Sequence, residues 1–441
     1  SLSLPSLSVE QGDFRLTGSL QAQSLVSDPS SRSFKGAMDL SVMDVADLLS
    51  RNGVELEMPE LPVREITVNS EFNLQGTSVT ASPLSLSVAY RGQPTQFTAP
   101  SLVFDFADGE LKLKEFQLAQ DDLQLRGGLS GSNLLDDISA MAAEGRLELT
   151  IGDLPDLLLR NAFMESLPPG IPVGVDAELG LTLSENTLDL TGLEATLDDM
   201  TVQGNASIVN LAEPGYRFDL GINRLDLDAM FPAGEGEAES EKPSTAEQLL
   251  LPVAPFQGLD VKGQARIGEL VTTGITLNDV DLVIDSTDNV LRVSPLSARL
   301  FGGEVETHLT YDVTAEAPTL KLQASTSALE VGSLLTALAV TDKVEGTGNL
   351  DVDLSGQGAT LDQLLGSLSG NIGFLLRDGA LKGFDLQATL LKLEDEIARY
   401  RGKESEARPS PDAETKFAEL SGSFRAVSGV FANDDFAMKA P

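Results

Sequence analysis

The sequence predicts a mainly β protein, an elongated and curled antiparallel sheet of repeated β-groove units with a few short helices that cap the units and the C-terminal end. Three observations predict it. Apolar and polar residues alternate strictly over many short runs, Leu102/Phe104/Phe106, Leu147/Leu149/Ile151, Leu179/Leu181/Leu183, Phe218/Leu220/Ile222 and Leu350/Val352/Leu354 among them. A period of two with one apolar and one wet face is the mark of strands whose sheet meets water on one side. Gly, Asp, Asn and Ser punctuate these runs at the short intervals that hairpin connections need. Finally, strands over half of 441 residues number on the order of 30, more than a flat open sheet carries, so such a sheet must curl.

In chain order, residues 1–150 read as N-terminal groove units and 151–233 as a further unit. Residues 234–247 form an acidic flexible linker, 248–358 another groove unit, and 359–441 a C-terminal region with a helix over 385–400. Short helical signals interrupt the strands at Asp44–Arg51, Leu154–Met164, Leu227–Phe231 and Val331–Leu338, each reading as a lid on a unit of sheet, at uneven spacing that excludes a fixed-period solenoid. A fifth, Ala359–Leu365, has Thr360 as its N-cap. The segments 234–247 and 402–414 combine charge, Pro and small residues with nothing to bury and read as loops.

What covers the apolar face decides the function, and two answers stay open on the residues alone. The walls of the curl could meet as an ordinary β-sandwich core, or stay apart and hold acyl chains. Two tails of about 16 carbons bury roughly 30 methylenes, which at ~0.8 kcal/mol each is about 24 kcal/mol of apolar burial. A continuous aliphatic trough supplies that burial without an energy source. The face here is dominated by Leu and Val, with aromatics at 5% and no Trp. Its candidate lining residues are Phe218, Leu220, Ile222, Leu282, Ile284, Leu291, Val293, Leu309, Leu320, Leu322, Leu350, Val352, Leu354, Phe374 and Leu376.

The C-terminal region carries the most specific signals. In SLSGNIGFLLRDGALKGFDL (Ser367–Leu386), Ile372, Phe374 and Leu376 mark a strand running to Asp378-Gly379, read as a tight turn, after which Ala380, Leu381 and Phe384 carry the chain onward. Leu386, Leu390, Leu393, Ile397 and Tyr400 then make one apolar helical stripe, with Glu394, Asp395 and Glu396 among the polar residues. That acidity opposes docking on an anionic bilayer and favours a capping helix.

This region resembles the AsmA family. The resemblance rests on Leu368-Ser369-Gly370, Phe374-Leu375-Leu376, Asp378-Gly379-Ala380, Gly383-Phe384-Asp385-Leu386, Thr415-Lys416-Phe417 and Asn433-Asp434-Asp435, with Asn223–Asp228, Val293–Ala298 and Gly302-Gly303 upstream. Its specific motifs cover residues 216 to 441. They are structural rather than catalytic. The resemblance implies a curved hydrophobic groove like that of bridge-like lipid-transfer proteins, with phospholipid or another acyl lipid as partner. It also implies a periplasmic location in a Gram-negative bacterium, with a role in outer-membrane homeostasis. It further implies anchoring to the inner membrane through an N-terminal helix outside this fragment, and an outer-membrane or periplasmic protein partner. A periplasmic assembly factor that offers sheet edges to outer-membrane proteins is the first rival reading, and a structural β-helix surface protein the second.

Composition narrows the rest. No run approaches the ~20 apolar residues of a membrane-spanning helix. Ser1 and the strand-like Met438–Pro441 end read as a fragment trimmed at both ends. Without cysteine there are no disulfides, thiolate metal sites or cysteine nucleophiles. With 30 Lys plus Arg against 68 Asp plus Glu the net charge is −38, which repels nucleic acid and anionic surfaces and reads as a solvated outer face, adaptation to a salty habitat being the other reading. No enzymatic activity, cofactor or metal is expected. His308, the single histidine, lies in a strand pattern without a nucleophile elbow. The acid pairs Asp121-Asp122, Asp136-Asp137, Asp198-Asp199 and Asp434-Asp435 read as turn chemistry. Asp279, Asp281, Asp285 and Asp288 lack the Gly and Glu of a calcium loop, and Gly356-Gln357-Gly358 reads as a strand-ending turn.

Overall fold

The structure, a computed structural model, describes residues 1–24, 32–45, 47, 63–137, 139–164, 166–167, 169–230, 251–337, 341–382 and 414–440. The expected helix 385–400, the linker 234–247, the loop 402–413 and most of the helical signal Asp44–Arg51 lie outside them. The chain divides into two compact units, Ser1–Ile222 and Asn223–Pro441. The described residues carry 25 strands and a few short helices, the mainly β antiparallel class that the alternation predicts.

In the first unit the strands are β1 (Leu2–Gln11), β2 (Phe14–Gln23), β3 (Ser33–Val42), β4 (Val63–Gln75), β5 (Ser78–Tyr90), β6 (Gln93–Ala99), β7 (Leu102–Asp105), β8 (Glu110–Gln120), β9 (Leu123–Ser132) and β10 (Ala142–Ile151). Then come helix α1 (Leu154–Arg160), β11 (Val175–Ser184), β12 (Thr187–Leu197), β13 (Met200–Val209) and β14 (Gly215–Asp226), within which the unit boundary falls. Each strand pairs antiparallel with the next, except that β6 and β7 share the place between β5 and β8. Pro100 stands at that break, where a residue without an N–H cannot continue a ladder. Phe106, expected in a strand with Leu102 and Phe104, lies just past β7 and is exposed.

The second unit begins with the last residues of β14 and helix α2 (Leu227–Met230), followed by a 3₁₀ turn (Ala254–Phe256). Next are β15 (Asp260–Thr272), β16 (Ile275–Thr287), β17 (Val290–Leu300), β18 (Gly303–Asp312), β19 (Thr319–Ser327), β20 (Leu329–Glu330) and helix α3 (Val331–Ala337). They continue with β21 (Val344–Gln357), helix α4 (Leu361–Ser367), β22 (Ser369–Lys382), β23 (Glu414–Val427), β24 (Val430–Ala432) and β25 (Ala437–Lys439).

Turn chemistry explains the punctuation. Glu185-Asn186, Thr273-Gly274, Asp288-Asn289 and Phe301-Gly302 are two-residue hairpin loops with both residues at positive φ, the twist-matched geometry that Asn, Asp and Gly accept most readily. Asp121 and Asp198 each open a two-residue hairpin loop at positive φ, with the second acid at ordinary φ, which accounts for the acid pairs at 121–122 and 198–199. Thr360 is the N-cap of α4, its hydroxyl accepting from the Gln363 N–H at 3.3 Å, as predicted.

One expected turn is absent. Asp378-Gly379 does not reverse the chain, because β22 runs unbroken from Ser369 to Lys382. Instead the register with β21 slips by one residue between Glu345↔Ala380 and Thr347↔Arg377, and Asp378 takes φ +49°, so the pair is a bulge inside a long strand. The dipeptide is local, whereas the neighbours that hold it straight, β21 and β23, are not.

The apolar face as candidate functional site

Antiparallel register places directly opposite residues on the same face of a sheet. In the first unit one such row reads Val9, Leu16, Leu40, Val68, Leu86, Phe97, Leu118, Leu125, Leu149, Ala177, Ala195, Val202 and Ile222, apolar at every step across thirteen strands. At ~4.8 Å per strand it runs for about 58 Å along the sheet. In the second unit a row reads Gly263, Ile284, Val293, Leu309, Leu322, Leu354, Gly370 and Ala426, about 34 Å over eight strands. Beside it lies Ala265, Leu282, Leu296, Thr307, Ala324, Val352, Ile372 and Phe424, with Thr307 its one polar member.

The predicted lining residues all fall on strands in these rows or next to them. Ile284, Val293, Leu309, Leu322 and Leu354 share one row, Leu282 and Val352 its neighbour, and Leu291 and Leu320 face Tyr311 from either side. Leu350 faces Phe374, while Phe218, Leu220 and Ile222 face Ala206, Gly204 and Val202. Fourteen of the fifteen are half-buried, sheltered relative to the exposed polar residues between them yet not sealed. Leu376 differs. At 4% exposure it packs with Phe417 and Leu420, so protein rather than open space covers it.

The fully buried clusters sit toward the strand ends, under the short helices. Leu157 of α1 closes over Ile151 and Val175, and α3 brings Val331 and Leu334 onto Ile275, Leu300 and Leu329. At the other end of the second unit, α4 buries Leu364, and Tyr311 meets Phe256 edge to face while its hydroxyl donates to Pro252 O at 3.0 Å. In the second unit helices close over both ends of the strands, in the first unit α1 closes over one, and the middle rows stay half open.

The opposite face is wet and charged. Asp279 pairs with Arg299 at 2.7 Å, Asp285 with Lys262 at 3.6 Å and Asp281 with Arg266 at 3.9 Å. These cross-strand pairs, and the place of Asp288 in a hairpin turn, account for the acids tested above as a calcium loop. His308 lies on this face too, with Nδ1 2.7 Å from Ser294 Oγ and Nε2 3.2 Å from Glu306 Oε1. Its side chain is 41% exposed, so the contact is an open surface one.

Helix α1 is held down by a polar network that sequence reading missed, since its members are far apart in the chain. The Arg160 guanidinium, 9% exposed, donates to Asp122 Oδ1 at 2.7 Å, Asp156 Oδ2 at 2.6 Å and Gln120 O at 3.2 Å. Asn161 donates to Gln120 Oε1 at 2.7 Å, and Gln120 to Thr95 Oγ1 at 2.9 Å. Burial works to raise the pKa of Asp122, but the Arg160 hydrogen bond and the Asp153 N–H outweigh it and hold the carboxyl below its ordinary range. A carboxyl depressed in the folded state stabilises above its unfolded pKa and loses that contribution as pH falls. Arg160→Met is expected to cost about 2–3 kcal/mol, below the range for a fully buried pair because the partner carboxylates keep some water. Thermal melts and proteolysis within 154–164 read this loss, and the gap to wild type should narrow below about pH 4.

Among the described residues no helix is long and apolar enough to cross a membrane. Comparison with known proteins places the chain. The AsmA family model matches residues 157–436, from α1 through the end of the Asn433–Asp435 loop and well upstream of the motifs that carry the resemblance. Protein AsmA of Escherichia coli (strain K12) is 21% identical over 335 residues, 72% of this chain and 51% of that protein, so the match spans about half of the relative's length. No solved structure matches the chain. The strand pattern, the motifs and the extent of this match agree, and the chain belongs to the AsmA family.

Proposed function

We propose that this protein holds the acyl chains of phospholipids on its apolar sheet face and passes them along the cross-strand rows, as part of lipid traffic between the inner and outer membranes and of outer-membrane homeostasis. The observation that carries the reading is the unbroken apolar row, half-exposed across thirteen strands in one unit and across seven of eight in the other, where only Ala426 is buried. Half of a bilayer's hydrocarbon core is about 15 Å deep. Rows of about 34 and 58 Å exceed one tail length, so a lipid shifts from one position to the next without leaving apolar surroundings. Headgroups stay in water, and movement between similar Leu and Val neighbours needs no chemical step. The same reading places the chain in the periplasm, anchored to the inner membrane through a segment outside this sequence, with an outer-membrane or periplasmic protein as partner.

The test is direct. Protein purified from an envelope fraction, washed and extracted with organic solvent, should yield phospholipid by mass spectrometry at one or more molecules per chain. A chain that comes out empty and takes up no lipid from vesicles overturns the reading.

A further inference from the structure

Five strands carry the same irregularity at nearly the same place. Four lie in the first unit, at Leu4-Pro5-Ser6-Leu7 in β1, Ala81-Ser82-Pro83-Leu84 in β5, Leu113-Lys114-Glu115-Phe116 in β8 and Leu190-Thr191-Gly192-Leu193 in β12. The fifth is Val293-Ser294-Pro295-Leu296 in β17 of the second unit. In each, the two middle residues stand opposite a single residue of a neighbouring strand. They are the fifth and sixth residues of β5, β8, β12 and β17, and the fourth and fifth of β1. The outer two are three positions apart, so in a regular strand they would point to opposite faces. The extra residue brings both onto the apolar face, because their partners across the register are two apart.

The bulge pairs themselves go to the wet side. Nine of the ten residues are exposed, and Pro295 is half-buried. Polar side chains there meet groups at the bulge. Asn205 Oδ1 accepts from the Gly192 N–H at 2.9 Å, the Ser82 hydroxyl donates to Pro100 O at 2.8 Å, and His308 Nδ1 lies 2.7 Å from Ser294 Oγ. On the apolar side the trend is the reverse, toward less material. The residue of the next strand that faces the second apolar position is small every time: Gly18 across from Leu7, Ala99 from Leu84, Gly127 from Phe116, Gly204 from Leu193 and Thr307 from Leu296. A Cβ built on Gly18, Gly127 or Gly204 would strike the carbonyl oxygen of Ala37, Arg146 or Asp219 in the strand beyond. A wet side lengthened by one residue and an apolar side pared toward backbone are the two conditions for a bend whose hollow is apolar.

We propose that the five bulge pairs are the bends of the trough, each folding its strand toward the apolar side so that the face closes partway round the chain it holds. The bend stands on the pairing alone, and its use in holding lipid rests on the function proposed above. Such a bend makes a specific demand of the strand. Removing one residue of a pair leaves a single residue between the two apolar ones, with the register intact on both sides and every side chain on its own face. A deletion that ruins an ordinary strand here makes a regular one.

The test uses the full chain with two deletions, of Gly192 and of Glu115, and deletion of Glu148 from the unbulged β10 as control. Circular dichroism and thermal melts should show both bulge deletions folded. The Glu148 deletion turns the rest of β10 to the wrong face and should abolish the first unit's unfolding transition. The chain has no cysteine, so introduced pairs alone take up spin labels. Thr201→Cys/Val209→Cys spans Asn205 on β13, and Gln124→Cys/Ser132→Cys spans Gly128 on β9, each opposite a bulge. Labels on the outside of a bend splay apart, so each distance should shorten by several ångströms when the bulge beside it is deleted. A folded deletion variant with the wild-type distance overturns the proposal, and so does loss of the fold in both bulge deletions. If one of the two fails to fold, the distance in the other decides. Lipid is a separate arm, in which a straightened variant should retain roughly fourfold less phospholipid or worse, the equivalent of about one methylene returned to water. A straightened variant with the wild-type amount overturns the role of the bends in holding lipid. Wild-type protein that carries none overturns the function proposed above, and the label distances still decide the bend.

Discussion

If the apolar face holds lipid as proposed, Leu354→Asp is expected to abolish acyl-chain retention while the sheet remains folded. Leu354 stands in the middle of the second unit's row, between Leu322 and Gly370, and is half-buried. For the protein alone the change is modest. A half-exposed leucine contributes roughly 1 kcal/mol of burial, and the new carboxylate can still reach water when no lipid lies over it. For a bound chain the balance reverses, because hydrocarbon over the site strips water from a charge that has no partner, at a cost of several kcal/mol. Lipid recovered per chain should fall at least tenfold, and Val352→Asp in the neighbouring row should behave alike. Asp353→Ala, on the charged face between them, is the control and should retain the wild-type amount. Leu354→Asp protein that keeps its full complement of phospholipid would rule out the trough, and would favour an activity that runs through backbone edges.

The strands were legible because their signal is local. Leu147/Leu149/Ile151 on β10 and Leu350/Val352/Leu354 on β21 lie where alternation places them, and the Asp and Asn residues at 288–289 make the hairpin that turn chemistry expects. Local capping placed α4 equally well. What escaped is whatever depends on a partner strand. The thirteen-strand row of the first unit is invisible in any one strand, since phase slips such as those between Leu4 and Leu7 and between Leu190 and Leu193 realign it only through pairing. Arg160 could not be foreseen as the hub that ties α1 down, because Asp122 lies in a distant hairpin. Leu376 alternates like its neighbours, yet Phe417 and Leu420 arrive from beyond the whole 383–413 segment to cover it. The family match itself was legible, because its motifs are short contiguous runs of the sequence.

Gly379→Ala is expected to be among the most destabilising single-methyl changes in the chain, and the reason lies in the bulge rather than in any helix or turn preference. A Cβ built at Gly379 runs into the Glu345 carbonyl oxygen and the Phe417 ring. Phe417 is 1% exposed, wedged among Leu376, Leu420, Val344 and Leu381, so the ring has nowhere to go. The carbonyl is worse, being backbone of β21 next to the point where its register with β22 shifts. Overpacking of a tight core costs about 1–3 kcal/mol, and forcing two strands apart at a bulge should bring the cost to the top of that range or beyond it. Phe417→Ala, which empties the same cluster, gives the comparison at about 3–5 kcal/mol. The two clashes can be separated. Phe417→Leu added to Gly379→Ala relieves the ring and leaves the carbonyl, so it should restore little, and hydrogen exchange across β22 and β23 in the full chain should stay fast in the double variant. Wild-type protection in Gly379→Ala alone would mean that the bulge tolerates a side chain, and that Gly379 is there for a reason other than the close approach of β21.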